Sequence, residues 1–366
     1  MPRFGRFFLP GPTEVRPEIA RAMTQPMIAH RGPEFRALFE RLQSGLRYVF
    51  RTTRPVFIST SSATGLMEAG VRCAPQGRML ALVNGAFSAR FADIAAVTGR
   101  ECDRYEVPAG EVHDPAELGR RLAAQRYAVI TIVHCETSTG ALNDVSALAA
   151  EAREHDVPCV VDSVSGIGGT EFHFDEWGLD FALTGSQKAL ALPPGLAFAA
   201  ATPAFVAGAA AAPQRGMYFD LLEHETMAAR SETPNTPALS LLFALDAQLE
   251  AIRSEGLEAR WKRHAKMREC TEAWVERLRS EHALDVAIPV RPEYRSPTVT
   301  SVRLPAGCSG NELVTRVAEQ GYVVGTGYRA LGDGSFRIGH MGDHTVPRLR
   351  ECLSACEDAL LGMIER

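Results

Sequence analysis

The 366-residue sequence predicts an α/β protein, with a mostly parallel sheet in a large domain and a smaller C-terminal α+β domain. Three observations predict it. Apolar runs of strand length alternate with helix-forming segments through the middle of the chain. The texture changes after about residue 250, where a long polar helix leads into separate strands. The composition, 46% hydrophobic and 23% charged, is that of a globular chain able to build a core.

The elements follow in order. Ser59 to Gly65 is rich in small and hydroxyl residues and precedes helical Leu66–Val71. Met79–Val83 reads as a strand, followed by a turn at Asn84–Arg90. Asp114-Pro115-Ala116-Glu117 carries an N-cap, a proline at the first helical position and a glutamate close behind. Tyr127–His134 is a strongly apolar strand. Ser146–His155 reads as a helix, Val157–Asp162 as a buried strand and Phe181–Thr184 as a further short strand. Beyond them come helix Leu257–Arg279, strand Thr298–Leu304, helix Asn311–Gln320 and strand Tyr322–Val324. The division expected is an N-terminal segment 1–20, a large domain 21–252 and a small domain 253–366. Long repeats and low-complexity tracts are absent.

A net charge of −5 gives no reason to expect nucleic-acid binding. No apolar run approaches the roughly 18–20 residues of a membrane span. The first ten residues lack the apolar core of a secretory signal. Eight cysteines are scattered without a CxxC pair, so free thiols in a reducing cytoplasm are expected. Cys352 and Cys356 have helical ligand spacing but no histidine partner; packing is expected, and no metal.

Lysine is the informative residue. The chain holds 39 Lys+Arg, of which only Lys188, Lys262 and Lys266 are lysines. Lysine can lose its proton and act as an amine nucleophile, whereas arginine stays charged. Lys262 and Lys266 lie on a charged helix. Lys188 follows an apolar strand, in Gly185-Ser186-Gln187-Lys188-Ala189-Leu190. Asp162 ends another buried strand, and active sites of open parallel sheets gather at that edge. A lone lysine and a carboxylate placed so suggest pyridoxal phosphate. The lysine forms an imine with the cofactor, and the acid keeps the pyridine nitrogen protonated.

Other segments suit the same chemistry. Ser61-Ser62-Ala63-Thr64 before a helix offers N–H and hydroxyl donors to an anion. Phe87 in Asn84-Gly85-Ala86-Phe87 can present a flat face to a ring. Arg337, inside strand-like Gly334–His340, can clamp a carboxylate with two hydrogen bonds. Each has a plainer alternative: helix cap for the hydroxyl run, turn residue for Asp162, core filler for Phe87, water-facing edge for Arg337.

Taken together, the segments resemble class V aminotransferases of fold type I, the alanine/serine–glyoxylate (serine–pyruvate) group. The segments that carry the resemblance run in family order over nearly the whole chain. They are Pro10-Gly11-Pro12-Thr13, Ser62 to Ala69, Asn84 to Phe87, His134-Cys135-Glu136-Thr137-Ser138-Thr139-Gly140, Val161 to Val164, Gly185 to Leu190 and Phe336-Arg337-Ile338-Gly339.

The resemblance implies a large domain built on a seven-stranded, mostly parallel sheet. It implies Lys188 as the cofactor-bearing amine and proton shuttle. Asp162 would pair with the pyridine nitrogen, between Phe87 on one ring face and Val164 on the other. Ser62, Ala63 and Thr64 would hold the phosphate, with Gln187 nearby, and Thr137 would approach the phenolic oxygen. Arg337, with Gly11, would meet the substrate. Members are homodimers, so Thr236, and less directly Thr233, would complete the partner subunit's phosphate site. His30-Arg31 stands either as a pocket lining or as plain structure. The expected reaction is a ping-pong transamination from alanine or serine to glyoxylate or pyruvate. Alternatives are 2-aminoethylphosphonate–pyruvate or phosphoserine transamination, a cysteine desulfurase or lyase using Cys308, and a non-enzymatic binding module. The phosphate loop departs from the glycines common there, and Phe87 stands where tryptophan is frequent.

Overall fold

The structure is a computed structural model, described over residues 4–364. The chain opens with β1 (Phe7–Phe8), α1 (Pro17–Ala22) and α2 (Pro33–Phe50). Pro33 starts α2, and Phe35, Leu38, Phe39, Leu42, Leu46 and Val49 form its buried stripe at helical spacing. Next come β2 (Val56–Ser59), α3 (Ala63–Cys73), β3 (Met79–Val83), α4 (Ala86–Val97), β4 (Cys102–Glu106), α5 (Pro115–Ala124) and β5 (Val129–Val133). A small ribbon, β6 (Cys135–Glu136) and β7 (Ala141–Leu142), leads into α6 (Val145–Glu154), β8 (Cys159–Asp162), β9 (Phe181–Gly185) and β10 (Ala197–Ala201). Three helices follow, α7 (Pro203–Gly208), α8 (Leu221–Ala228) and α9 (Leu239–Glu255). The chain closes with α10 (Leu257–Glu281), β11 (Val299–Arg303), α11 (Gly310–Glu319), β12 (Val323–Thr326), β13 (Ser335–Gly339) and α12 (Val346–Ile364).

The main sheet has seven strands in the order β2-β10-β9-β8-β5-β3-β4. Only β10 runs against its neighbours. Its central strands are buried throughout, which explains their continuous apolar runs. Helices cover both faces: α2, α5, α6 and α9 pack with one core cluster, α3, α7 and α8 with the other. Close approach on that second face depends on Gly70. A Cβ there would come within 2.9 Å of Val160 Cγ1 and 3.0 Å of Phe181 Cε1. No helix among the described residues is long and apolar enough to cross a membrane.

A second sheet has the order β1-β12-β13-β11. Its core takes in Phe8 together with residues of α10, α11 and α12. The N-terminal segment is thus no free arm: Phe7 and Phe8 pair in parallel with Val323 and Val324. Cys352 and Cys356 are packed in this core, and all eight cysteines are unpaired.

Two local readings change. The expected helix from Leu66 begins three residues earlier, at Ala63, with Ser62 as the extended N-cap residue. Thr64 and Gly65 are therefore first-turn residues. Helix α9 carries no clean sequence stripe because Leu242, Phe243, Ala244 and Leu245 are all buried in succession.

Candidate active site

Strands β8 and β9 are parallel neighbours, with Asp162 opposite Leu183. Asp162 ends β8, and Lys188 lies three residues beyond the end of β9. Both therefore emerge at the carboxyl edge of the sheet. The N-termini of α3 and α4 reach the same edge. One cavity is lined by Ser62, Ala63, Thr64, Phe87, Thr137, Asp162, Val164, Gln187 and Lys188, so nine of the residues singled out in the sequence come together. Met67, Arg90 and Cys135 complete its wall.

Asp162 Oδ1 accepts the backbone N–H of Val164 at 2.8 Å. Burial pushes its carboxyl up to about 6. Glu136 adds to the rise, while the Val164 N–H and the Arg90 and Lys188 charges oppose it. Burial, reinforced by the Arg337 charge, pushes the Lys188 amine down to about 8. Its Nζ donates to the carbonyl of Pro10. Gly11 lies directly against it, at φ +110°, and a Cβ there would fall 2.5 Å from Nζ. Thr13 secures the same loop, its N–H donating to the Gln187 carbonyl at 2.9 Å and its hydroxyl to that of Lys188 at 2.9 Å.

Arg337 stands at the rim. Its Nη1 donates to the Thr137 carbonyl at 3.0 Å and its Nε to the Thr326 carbonyl at 3.0 Å. It makes no ion pair among the described residues, which leaves its charge available to a carboxylate. Thr137 Oγ1 lies 2.5 Å from Ser165 Oγ.

Thr233 and Thr236 do not reach this cavity. They line a small separate groove with Ser59, Thr60 and Tyr218. Arg31 is beside them: it donates to Glu232 at 2.5 Å and to the Pro234 carbonyl at 3.4 Å. The His30-Arg31 segment therefore braces the threonine segment and does not line the Lys188 cavity. Cys308 packs part-buried against the core of the second sheet and is absent from the cavity wall.

Four residues were missed in the sequence. Glu136 is fully buried, and its carboxylate accepts the backbone N–H groups of Phe87, Ser88 and Ser138. An acid within a hydroxyl run after an apolar strand was the available signal. Arg90 donates to Thr64 Oγ1 at 3.0 Å. Tyr328 stacks on Phe87 with centroids 5.7 Å apart and planes 9° from parallel, and the Arg337 guanidinium lies over the Tyr328 ring, 5.2 Å from its centroid. Arg260, 1% exposed, donates to the carbonyls of Gly168 and Ala189 and pairs with Glu255 and Asp343.

Fold and site together define a fold type I enzyme of the pyridoxal-phosphate class. The chain belongs to the class-V aminotransferase family, whose family model matches residues 18–336. An L-aspartate–glyoxylate aminotransferase of Paracoccus denitrificans is 35% identical over 351 residues, covering 92% of this chain and 86% of that protein. A serine–glyoxylate aminotransferase of Arabidopsis thaliana is 31% identical, covering 96% and 88%. The crystal structure of an alanine–glyoxylate aminotransferase from Nostoc sp. superposes with a TM-score of 0.89 at 31% identity, covering 97% of this chain and 95% of that one. The protein is an aminotransferase, and its cofactor is pyridoxal phosphate.

The cavity fits that cofactor. Gln187 Oε1 is buried there without a hydrogen-bond partner, beside the free N-terminus of α3. Rotation of the amide turns its NH₂ donor toward an anion. Asp162, an acid held up by burial, suits a cationic ring nitrogen, which would restore its charge.

Proposed function

We infer that this aminotransferase moves the amino group of a small amino acid, alanine or serine, to a 2-oxo acid such as glyoxylate or pyruvate. One observation carries the reading: Lys188 and Asp162, from the ends of adjacent strands, share a cavity with the N-termini of two helices.

When bound, pyridoxal phosphate supplies an electron sink for negative charge developing at the substrate Cα. The residues act around it. Asp162 holds a proton at the pyridine nitrogen. Phe87 and Val164 enclose the ring from its two faces. Ser62, Ala63 and Thr64 hold the phosphate at the N-terminus of α3, with Gln187, and Thr137 orients the ring from its phenolic side. Lys188 anchors the cofactor at rest. With an amine substrate in place, the Lys188 amine would take the proton from the substrate Cα and hold it for return. Its lowered basicity leaves much of it neutral near pH 8. Arg337 receives the substrate carboxylate with its fork, and Gly11 leaves room for the amine to swing.

The substrate end is walled by aromatic rings: Tyr328 stacks on Phe87 and lies beside the Arg337 fork. The three relatives described above share glyoxylate as the acceptor in their names. Cys308, packed on the second sheet, offers no support for desulfurase chemistry.

The enzyme works as a homodimer in this reading, with Thr236 and Thr233 completing the partner's phosphate site. Their position off their own cavity, beside exposed Tyr218, supports it. The large domain spans 21–252 and the small domain 253–366, with β1 of the N-terminal segment 1–20 added to the small domain's sheet. Eight unpaired cysteines favour the cytoplasm.

A donor–acceptor screen on purified protein tests the function. Alanine or serine should bleach the cofactor absorbance, and glyoxylate or pyruvate should restore it. Preference for phosphoserine, 2-aminoethylphosphonate or aspartate over both small donors would overturn the donor assignment.

A further inference from the structure

Three side-chain cations surround the cavity, and two are committed. Lys188 is the reacting amine, and Arg337 is turned toward the substrate end by the Thr137 and Thr326 carbonyls. The third, Arg90, has no role in the reaction as proposed. A phosphate monoester carries about −1.5 to −2 charges at neutral pH, while a helix N-terminus supplies about half of one positive charge. Hydroxyls and backbone N–H groups leave the rest of that charge unmatched.

Arg90 is built for the deficit. It follows Phe87 by three residues on α4, so the two side chains share a face. Its guanidinium carbon stands 5.0 Å from the Phe87 centroid, and its Nη1 donates to Thr64 Oγ1 at 3.0 Å. Many arginines of this chain pair with carboxylates; Arg90 makes no ion pair among the described residues. That single hydrogen bond uses one of five N–H donors. Its direction also matters. Thr64 accepts from Arg90, so its own O–H stays free to donate to an anion. The charge reaches into the cavity, where it helps pull the Asp162 carboxyl and the Lys188 amine down.

We propose that Arg90 is the cationic member of the phosphate site, binding the cofactor's phosphate with its free N–H groups and polarising the Thr64 hydroxyl toward it. Arg90 replaces by charge what the Ser61-Ser62-Ala63-Thr64 loop lacks in glycine-lined backbone approach. The assignment rests on the cofactor site proposed above.

The test compares pyridoxal phosphate with pyridoxal, which lacks only the phosphate. Full-length protein stripped of cofactor is titrated with each, following absorbance and tryptophan fluorescence. Arg90→Met should weaken pyridoxal phosphate binding at least about tenfold, the loss typical of a charged hydrogen bond, while pyridoxal binding changes less than about twofold. Arg90→Lys, with the charge but not the fork, should fall between. Inorganic phosphate should compete with pyridoxal phosphate more weakly in Arg90→Met than in the wild type. Equal weakening of both ligands, or of neither, in both variants overturns the assignment. Failure of the wild-type protein to bind either ligand would instead overturn the cofactor site itself.

Discussion

Glu136 Oε2 accepts the backbone N–H of Ser88 at 2.9 Å, and the same carboxylate takes the N–H of Phe87 at 3.2 Å. A buried acid thus caps the first turn of α4, where the positive end of the helix dipole and unpaired N–H groups meet it. The ring face offered by Phe87 is aimed by this bond. Glu136→Ala leaves several buried donors without partners. It should destabilise the protein by at least about 3 kcal/mol, read by urea denaturation, and weaken cofactor binding in the same variant. Glu136→Gln, which keeps an acceptor, should recover much of both. Unchanged stability in Glu136→Ala would remove the capping role.

Gly11 occupies the space beside the Lys188 amine. A methyl group at Gly11→Ala meets the flexible end of Lys188 at 2.5 Å, and the backbone there is at φ +110°. Lysine moves more easily than backbone, so the amine is displaced. Turnover should fall about 100-fold, as for a misplaced reacting group, with a smaller loss of stability. Comparable kcat in Gly11→Ala would show that the contact is tolerated without moving the amine.

The two shifted groups make opposite pH predictions. Asp162 rises from 3.8 to about 6 in the folded chain. In cofactor-free protein the folded state binds that proton more tightly. Its stabilising contribution is complete below about 3.8 and is lost as pH rises to about 6. Asp162→Asn should abolish this slope in a thermal-melting series and, above pH 6, melt higher than the cofactor-free wild type. Lys188 falls from 10.5 to about 8, so its burial costs stability below about 8 and stability recovers between about 8 and 10.5. Only the neutral amine captures the cofactor. The rate of capture should therefore rise with pH and level off just above 8. A midpoint near 10.5 would contradict the shift.

Much of this site was legible because its chemistry lies in short strings next to strong strand signals. Lys188 and Asp162 each follow a continuous apolar run, and those runs became β9 and β8. What stayed hidden is tertiary. Two residues, Phe7 and Phe8, are too short a pattern to announce a strand, and their partner lies more than 300 positions away. Tyr328 comes to Phe87 from the other sheet, with no local sign of its destination. Thr64 reads as loop in the sequence because a Ser/Thr run signals a helix start without fixing its first residue. Arg260 looked like one more charge on a polar helix, yet it is among the largest fully buried side chains.

Arg260 ties the parts together. It holds the Ala189 carbonyl, one residue past Lys188, at 2.7 Å and pairs with Asp343 of the C-terminal region at 2.8 Å. Arg260→Met leaves two carboxylates and two carbonyls without their cation. The expected cost is about 3–5 kcal/mol, seen as an earlier unfolding midpoint in guanidinium. A variant as stable as the wild type would show that the network is dispensable.

The central claim is that Lys188, and neither Lys262 nor Lys266, carries the cofactor. Borohydride reduction of the cofactor-loaded enzyme followed by peptide mapping reads this directly. The reduced phosphopyridoxyl group is predicted on the peptide holding Lys188, and it should vanish in Lys188→Ala together with turnover. A label on Lys262 or Lys266, or transamination persisting in Lys188→Ala, would contradict it.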